Sequence, residues 1–188
     1  MGVVIILSGA IGSRRSELAN KLAARLGWPK VKFSDYIRQR IQESGENPDD
    51  RLLLQQYGQR LVQNHLTEFV EGVLALAPAN WTETGNLIVD GLRHVEVLLT
   101  LRRLAREKAN SDVIYVHVRP DPLEREVGAR DRGIPEQDMY RYDRALSEAQ
   151  MNRILPAYAD FEVDGALGPN LNLQDIEEKL KIRGVAVA

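Results

Sequence analysis

The chain has 188 residues, 44% of them hydrophobic and 28% charged, with a formal net charge of −2 at pH 7. That length suits one substantial hydrophobic core, and the balance of residue types excludes the disordered, collagen-like and membrane classes. Near-neutral charge gives no general basic surface for nucleic acid, and the lack of cysteine excludes disulfides, thiolate catalysis and cysteine-held metals.

The apolar run Val3 to Leu7 stops at Ser8-Gly9 and predicts a first strand buried on both faces. Leu18, Leu22 and Leu26 then repeat at helical spacing until Gly27 and Trp28-Pro29. Lys30 to Phe33 predicts a short second strand, with Ser34 as N-cap of a helix through Tyr36, Ile37 and Ile41 to Gly45. A further helical stretch covers about Leu52 to Leu76, with a bend expected at Gly58, and Pro78 to Glu83 reads as a loop. Asn86 to Gly91 predicts the third strand, and Leu98, Leu101, Leu104 and Ala105 the helix after it. Val113 to Val118 is the fourth strand by its β-branched content, followed by an Arg-rich helix from Leu123. Asp160 to Asp164 predicts a fifth strand near the sheet edge, and Leu173 to Ile182 a closing helix. Alternating strands and helices call for a mostly parallel five-stranded sheet covered on both faces, a three-layer α/β/α sandwich. One domain spanning 1–188 is expected.

The segment Ser8-Gly9-Ala10-Ile11-Gly12-Ser13-Arg14-Arg15-Ser16-Glu17 lies between a buried strand and a helix. Backbone N–H groups of such a loop, with those of the first helical turn, form a concave anion site. It resembles the phosphate loop of P-loop (Walker A) kinases: Gly9 and Ser16 match, while Arg14 stands for Gly and Arg15 for Lys. Residues 9–17 are thereby implied to hold ATP: Gly9, Ala10, Ile11, Gly12, Ser13, Arg14, Arg15, Ser16 and Glu17. Arg14 adds a Cβ where the backbone should approach the phosphates, and Arg15 offers a planar fork in place of an ammonium. Two readings stay open: either Arg15 still bridges the terminal phosphates, or the pair has ended ATP turnover and left a nucleotide-binding scaffold.

Phe33 to Arg38 is similar to the segment after the second strand of adenylate-kinase-like enzymes, which implies that Arg38 contacts the acceptor phosphate and Asp35 steers the attacking oxygen. Asp35 and Arg38, three apart on one helix, can also simply pair. Leu87 to Arg93 resembles the Asp-Gly strand end of the same kinases, implying that Ser16 holds Mg²⁺, that Asp90 orients it through water and that Arg93 grips the acceptor phosphate. Arg125 and Arg130 resemble lid arginines that close over the transferred group, although Glu124, Glu126 and Asp131 are adjacent partners for them. Residues 149–164 resemble the end of dephospho-CoA kinases.

The resemblance therefore implies a nucleoside-monophosphate-kinase or dephospho-CoA-kinase-like protein. Its cofactors would be ATP and Mg²⁺, with acceptor helices at about 34–77 and a lid-like segment at about 123–150. Arg15, Asp35, Arg125 and Arg130 would carry catalysis. The acceptor expected is a nucleoside or deoxynucleoside monophosphate, with transfer to the hydroxyl of dephospho-CoA as an alternative. A metal site from His65, His94 and His117 is disfavoured by their spacing. Trp28 and Trp81 are open to base stacking or to packing. Val3 to Leu7 lacks a basic leader and no run approaches ~20 apolar residues, so a cytoplasmic protein with no membrane or nucleic-acid partner is expected.

Overall fold

The computed structural model describes residues 1–10, 12–121, 127, 151 and 153–186. Its strands are β1 (Gly2–Gly9), β2 (Lys30–Lys32), β3 (Leu87–Leu92), β4 (Ser111–Arg119) and β5 (Phe161–Asp164). They form one sheet in the order β2-β3-β1-β4-β5, and every neighbouring pair is parallel. The expected α/β class and parallel five-stranded sheet are the ones observed.

Alternation along each strand divides the core in two. Val4, Ile6, Leu87, Val89 and Tyr115 face one side. There they meet Phe69, Val70 and Val73 of α4 (Leu66–Leu74) and Leu98, Leu101 and Leu104 of α6 (Val95–Ala109). Ile5, Leu7, Ile88, Ile114 and Val116 face the other side, against Leu18 and Leu22 of α1 (Arg15–Leu26) and Ile176 and Leu180 of α7 (Gly168–Ile182). Burial on both faces is why β1 reads as an unbroken apolar run. Each such side chain contributes about 1.5–3 kcal/mol relative to exposure. No described helix is long and apolar enough to cross a membrane.

Four local expectations need correction. Helix α2 (Phe33–Glu43) starts at Phe33, so Lys32 holds the N-cap position and Ser34 lies within the first turn. Packing overrides cap preference here: Phe33 is drawn into the core, its ring centroid 5.4 Å from that of Phe69. The stretch 52–76 is two helices, α3 (Arg51–Asn64) and α4, broken at His65 (φ −142°, ψ 40°) and not bent at Gly58. Gly58 instead lets α3 approach α2, since a Cβ there would lie 3.2 Å from Ile37 Cδ1. The segment 78–83 is not all loop: Trp81–Thr84 forms the short helix α5, with Trp81 buried in the core and thus away from any base. Finally α7 begins at Gly168, five residues before the expected Leu173. Trp28 is half-buried and packs on the opposite core.

Candidate functional site

The carboxyl ends of β1 and β3 meet where the chain switches from one side of β1 to the other, the crevice in which open parallel sheets bind ligands. From β1 the loop leaves at Gly9, where a Cβ would lie 2.5 Å from Ser13 Oγ and 2.9 Å from the Val118 carbonyl oxygen. Only glycine fits that approach. Ser13 N–H donates to the Ala10 carbonyl at 3.1 Å, closing the turn. Arg14 then adopts a left-handed conformation at φ 56°, ψ 18°, and α1 begins at the next residue. A non-glycine residue there costs roughly 1–2 kcal/mol. Its side chain turns outward, Nη2 lying 3.2 Å from Glu17 Oε2, so the long cation does not cover the loop. The amides of Arg15 and Ser16 open α1 at the positive end of its dipole, whereas Glu17 N–H already donates to the Arg14 carbonyl at 3.1 Å. Ser13 Oγ, also buried in this loop, has no hydrogen-bond partner among the described residues.

Arg15 folds inward. Its Nε donates to Asp90 Oδ1 at 2.6 Å, Nη1 to the Gly9 carbonyl at 3.1 Å and Nη2 to Ser16 Oγ at 3.5 Å. Asp90 is brought there by the end of β3, paired with Leu7 of β1 and Lys32 of β2. Between Leu7 and Ser8 the register slips, Ser8 pairing with Leu92, which leaves Gly91 as the extra residue at φ 106°. Such a bulge re-aims the chain beside a site. Ser16 and Asp90, the residues expected to hold Mg²⁺, are thus both engaged by one guanidinium. A dication held by Ser16 and, through water, by Asp90 would stand beside that charge, where even like unit charges 4 Å apart repel by about 4 kcal/mol at an effective dielectric of 20. As placed, the donor set does not fit a bound magnesium ion.

Beside this pair opens a pocket of about 240 Å³. Its polar wall carries Arg15, Arg38, Arg51, Arg93 and His94, and its apolar floor includes Phe33, Ile37 and Val97. Arg93 immediately follows β3, two residues after the bulge at Gly91. Burial, and then repulsion from Arg15, brings its pKa down to about 10 against the pull of Asp90, with Arg51 adding to the repulsion. It remains a cation at neutral pH. Arg38 lies on the pocket wall and pairs with Asp35 at 3.5 Å; both are more than 40% exposed, and Asp35 itself is outside the lining. The local pairing considered from the sequence is therefore present.

Two features escaped the sequence reading. Arg51 enters the wall because α3 starts at that residue, after Asp50 accepts from the amides of Leu52 and Leu53. The acidic cap at Asp50 was a usable signal; the facing of α3 onto α2 was not. Beneath the loop, Ser8 Oγ lies 2.5 Å from Tyr115 Oη and 2.7 Å from His117 Nδ1, all three buried. Burial keeps His117 below the usual histidine range, opposed by Glu162 and aided by Arg119. Register across β1 and β4, which pairs Ser8 with His117, makes this cluster, and one strand alone does not show it. Ile11, Arg125, Arg130 and the lid-like segment 123–150 lie outside the described residues, except Val127. No metal-binding group of His, Cys, Asp or Glu occurs among the described residues.

Most of the chain superposes on solved kinases. Shikimate kinase from Aquifex aeolicus matches at TM-score 0.54 and 16% identity, over 96% of this chain and 98% of its own. A sugar kinase from Janibacter sp. HTCC2649 matches at TM-score 0.53 and 16% identity, over 98% and 95%. The YorR protein of Bacillus subtilis, solved in complex with phosphorylated GDP, matches at TM-score 0.52 and 16% identity, over 96% and 97%. The fold is that of the P-loop kinases. No protein-family model and no curated protein matches the chain.

Proposed function

We propose that this protein transfers the γ-phosphoryl group of ATP to a small phosphate-bearing acceptor, with nucleoside and deoxynucleoside monophosphates as the acceptor class. One observation carries the reading: Arg15, Arg38, Arg51 and Arg93 converge on a single pocket beside the loop that ends β1. Four cations on one wall recognise a multiply charged anion, because guanidinium groups bind phosphate oxygens bidentately. In the transfer an acceptor phosphate oxygen forms the new bond to the γ-phosphorus, the bond to the β–γ bridging oxygen breaks, and ADP leaves with the electron pair. Loop residues 9–17 hold the donor phosphates, Arg38 and Arg93 hold the acceptor, and Asp35 orients it from the rim. Arg125 and Arg130 belong to a lid over residues 123–150 that excludes water, within one kinase-like domain whose helices at 34–77 form the acceptor side. Positioning and charge supply most of such catalysis.

A second reading has support of its own. Arg15 is turned onto Asp90 and Arg14 is held in a left-handed conformation, which suits a protein that binds nucleotide without efficient transfer. A product assay with ATP against nucleoside monophosphates and dephospho-CoA decides between them. Turnover of a monophosphate supports the first reading. Turnover of dephospho-CoA alone shifts the acceptor to a hydroxyl, and nucleotide binding with no product leaves the second.

A further inference from the structure

The ion pair of Arg15 and Asp90 lies at the back of the loop, with the two side chains 16% and 2% exposed. So little exposure means that a mobile counter-ion must displace a partner to enter, which surface pairs do not require. The three contacts of the guanidinium, on Asp90, the Gly9 carbonyl and Ser16, span the ground between hydroxyl and carboxylate. A compact ammonium on a flexible stem cannot brace both ends at once; a planar fork with five donors can, and still keeps N–H groups for a ligand. The wall beyond it adds Arg38, Arg51 and Arg93, so the fixed positive charge of the site comes from the chain itself.

We infer that the loop binds the phosphates of a nucleoside triphosphate without a divalent cation, Arg15 braced on Asp90 supplying the counter-charge. This rests on the nucleotide-binding reading above. Arg15 is here a group that touches the ligand, and Asp90 is a positioning residue acting through it.

Titration calorimetry of ATP into the full chain, once with excess Mg²⁺ and once with EDTA, tests it. The affinity in EDTA is expected to equal or exceed that in Mg²⁺, within about threefold, since the metal would only reduce the charge that Arg15 meets. For Arg15→Ala the affinity in EDTA should fall by about tenfold or more, and Mg²⁺ should restore part of it, because Ser16 and Asp90 are then free. That variant leaves a buried carboxylate unpaired, so Arg15→Ala combined with Asp90→Asn serves if it does not fold. The double variant should show the same loss in EDTA without the rescue. Wild-type affinity about tenfold higher in Mg²⁺ than in EDTA overturns the inference and leaves nucleotide binding standing. Undiminished affinity in EDTA for a folded variant overturns it too. Heat in neither buffer removes the nucleotide reading and this inference with it.

Discussion

Arg51 occupies the first turn of α3, the end of a helix at which a cation is disfavoured by about 0.3–1 kcal/mol. It faces two further cations, Arg15 and Arg93, across the pocket, and contributes to the depressed pKa of Arg93. Both terms disfavour the ligand-free state, so an anion is the natural complement of this arrangement. Arg51→Gln is therefore expected to leave the thermal midpoint unchanged or slightly raised. The same substitution should raise the acceptor KM by about tenfold or more, since a charge-assisted hydrogen bond is worth roughly 1.5–3 kcal/mol. Steady-state kinetics with calorimetric melting separates the two effects: a lowered midpoint with unchanged KM would assign Arg51 to structure. Arg14 and Arg15, adjacent in sequence and alike in chemistry, take opposite roles. One turns to solvent beside Glu17 and the other to the buried Asp90. Backbone conformation at a single residue makes that difference, because the left-handed turn at Arg14 swings its side chain away from the crevice.

Among the helices, α3 has no fully buried residue, whereas α4 buries Phe69, Val70, Val73 and Leu74. Its hold on the protein depends on Asp50 at the N-terminus and on half-buried contacts such as Leu61 and Val62. An element so attached opens at low free energy, and it forms the outer wall of the arginine-lined pocket. Hydrogen exchange should therefore find the α3 amides less protected than those of α4 or β1. Asp50→Ala should lower stability by about 1 kcal/mol through loss of the cap, with the exchange gain concentrated in α3. An equal gain across α4 would show that the two helices open together. The break at His65 separates these behaviours. From the apolar stripe alone the two helices merge into one, because Leu61, Val62, Leu66 and Phe69 keep helical spacing across the break.

For the whole molecule, the buried cluster of Ser8, Tyr115 and His117 couples stability to pH. His117 is held below the usual histidine pKa by burial, with the opposing pull of Glu162 smaller. The unfolded chain then binds a proton that the folded one resists, starting near the ordinary histidine value of about 6.5. Stability from this group is full above that pH and is lost as the pH falls toward the lower folded pKa. The thermal midpoint is expected to drop between pH 7.5 and 5.5, and His117→Gln, which can retain a hydrogen bond to Ser8, should flatten that drop. An identical slope in the variant would place the acid sensitivity elsewhere. Ser8 of the cluster lies on β1, which leads into the loop at Gly9, so acid is also expected to disturb the site before the periphery.

Local pattern determined much of this protein. The unbroken apolar run of β1, the glycines flanking it and the leucine spacing of α1 were enough for the strand, loop and helix, and alternation along the chain was enough for the parallel sheet. Those features are short-range, set by burial period and backbone freedom. Tertiary structure decided which polar groups meet. Arg15 joins Asp90 across 75 residues, and Ser8 joins His117 across 109. Neither distance nor register between separate strands is encoded in local periodicity. The same holds for Arg51, whose place in the pocket depends on α3 crossing α2 at Gly58, and for the start of α2, where burial of Phe33 prevailed over the cap preference of Ser34. Sequence set the elements because the period of apolar residues that each must bury is written locally; the site was left to the packing of those elements, because its cations come from α1, α2, α3 and the connection after β3.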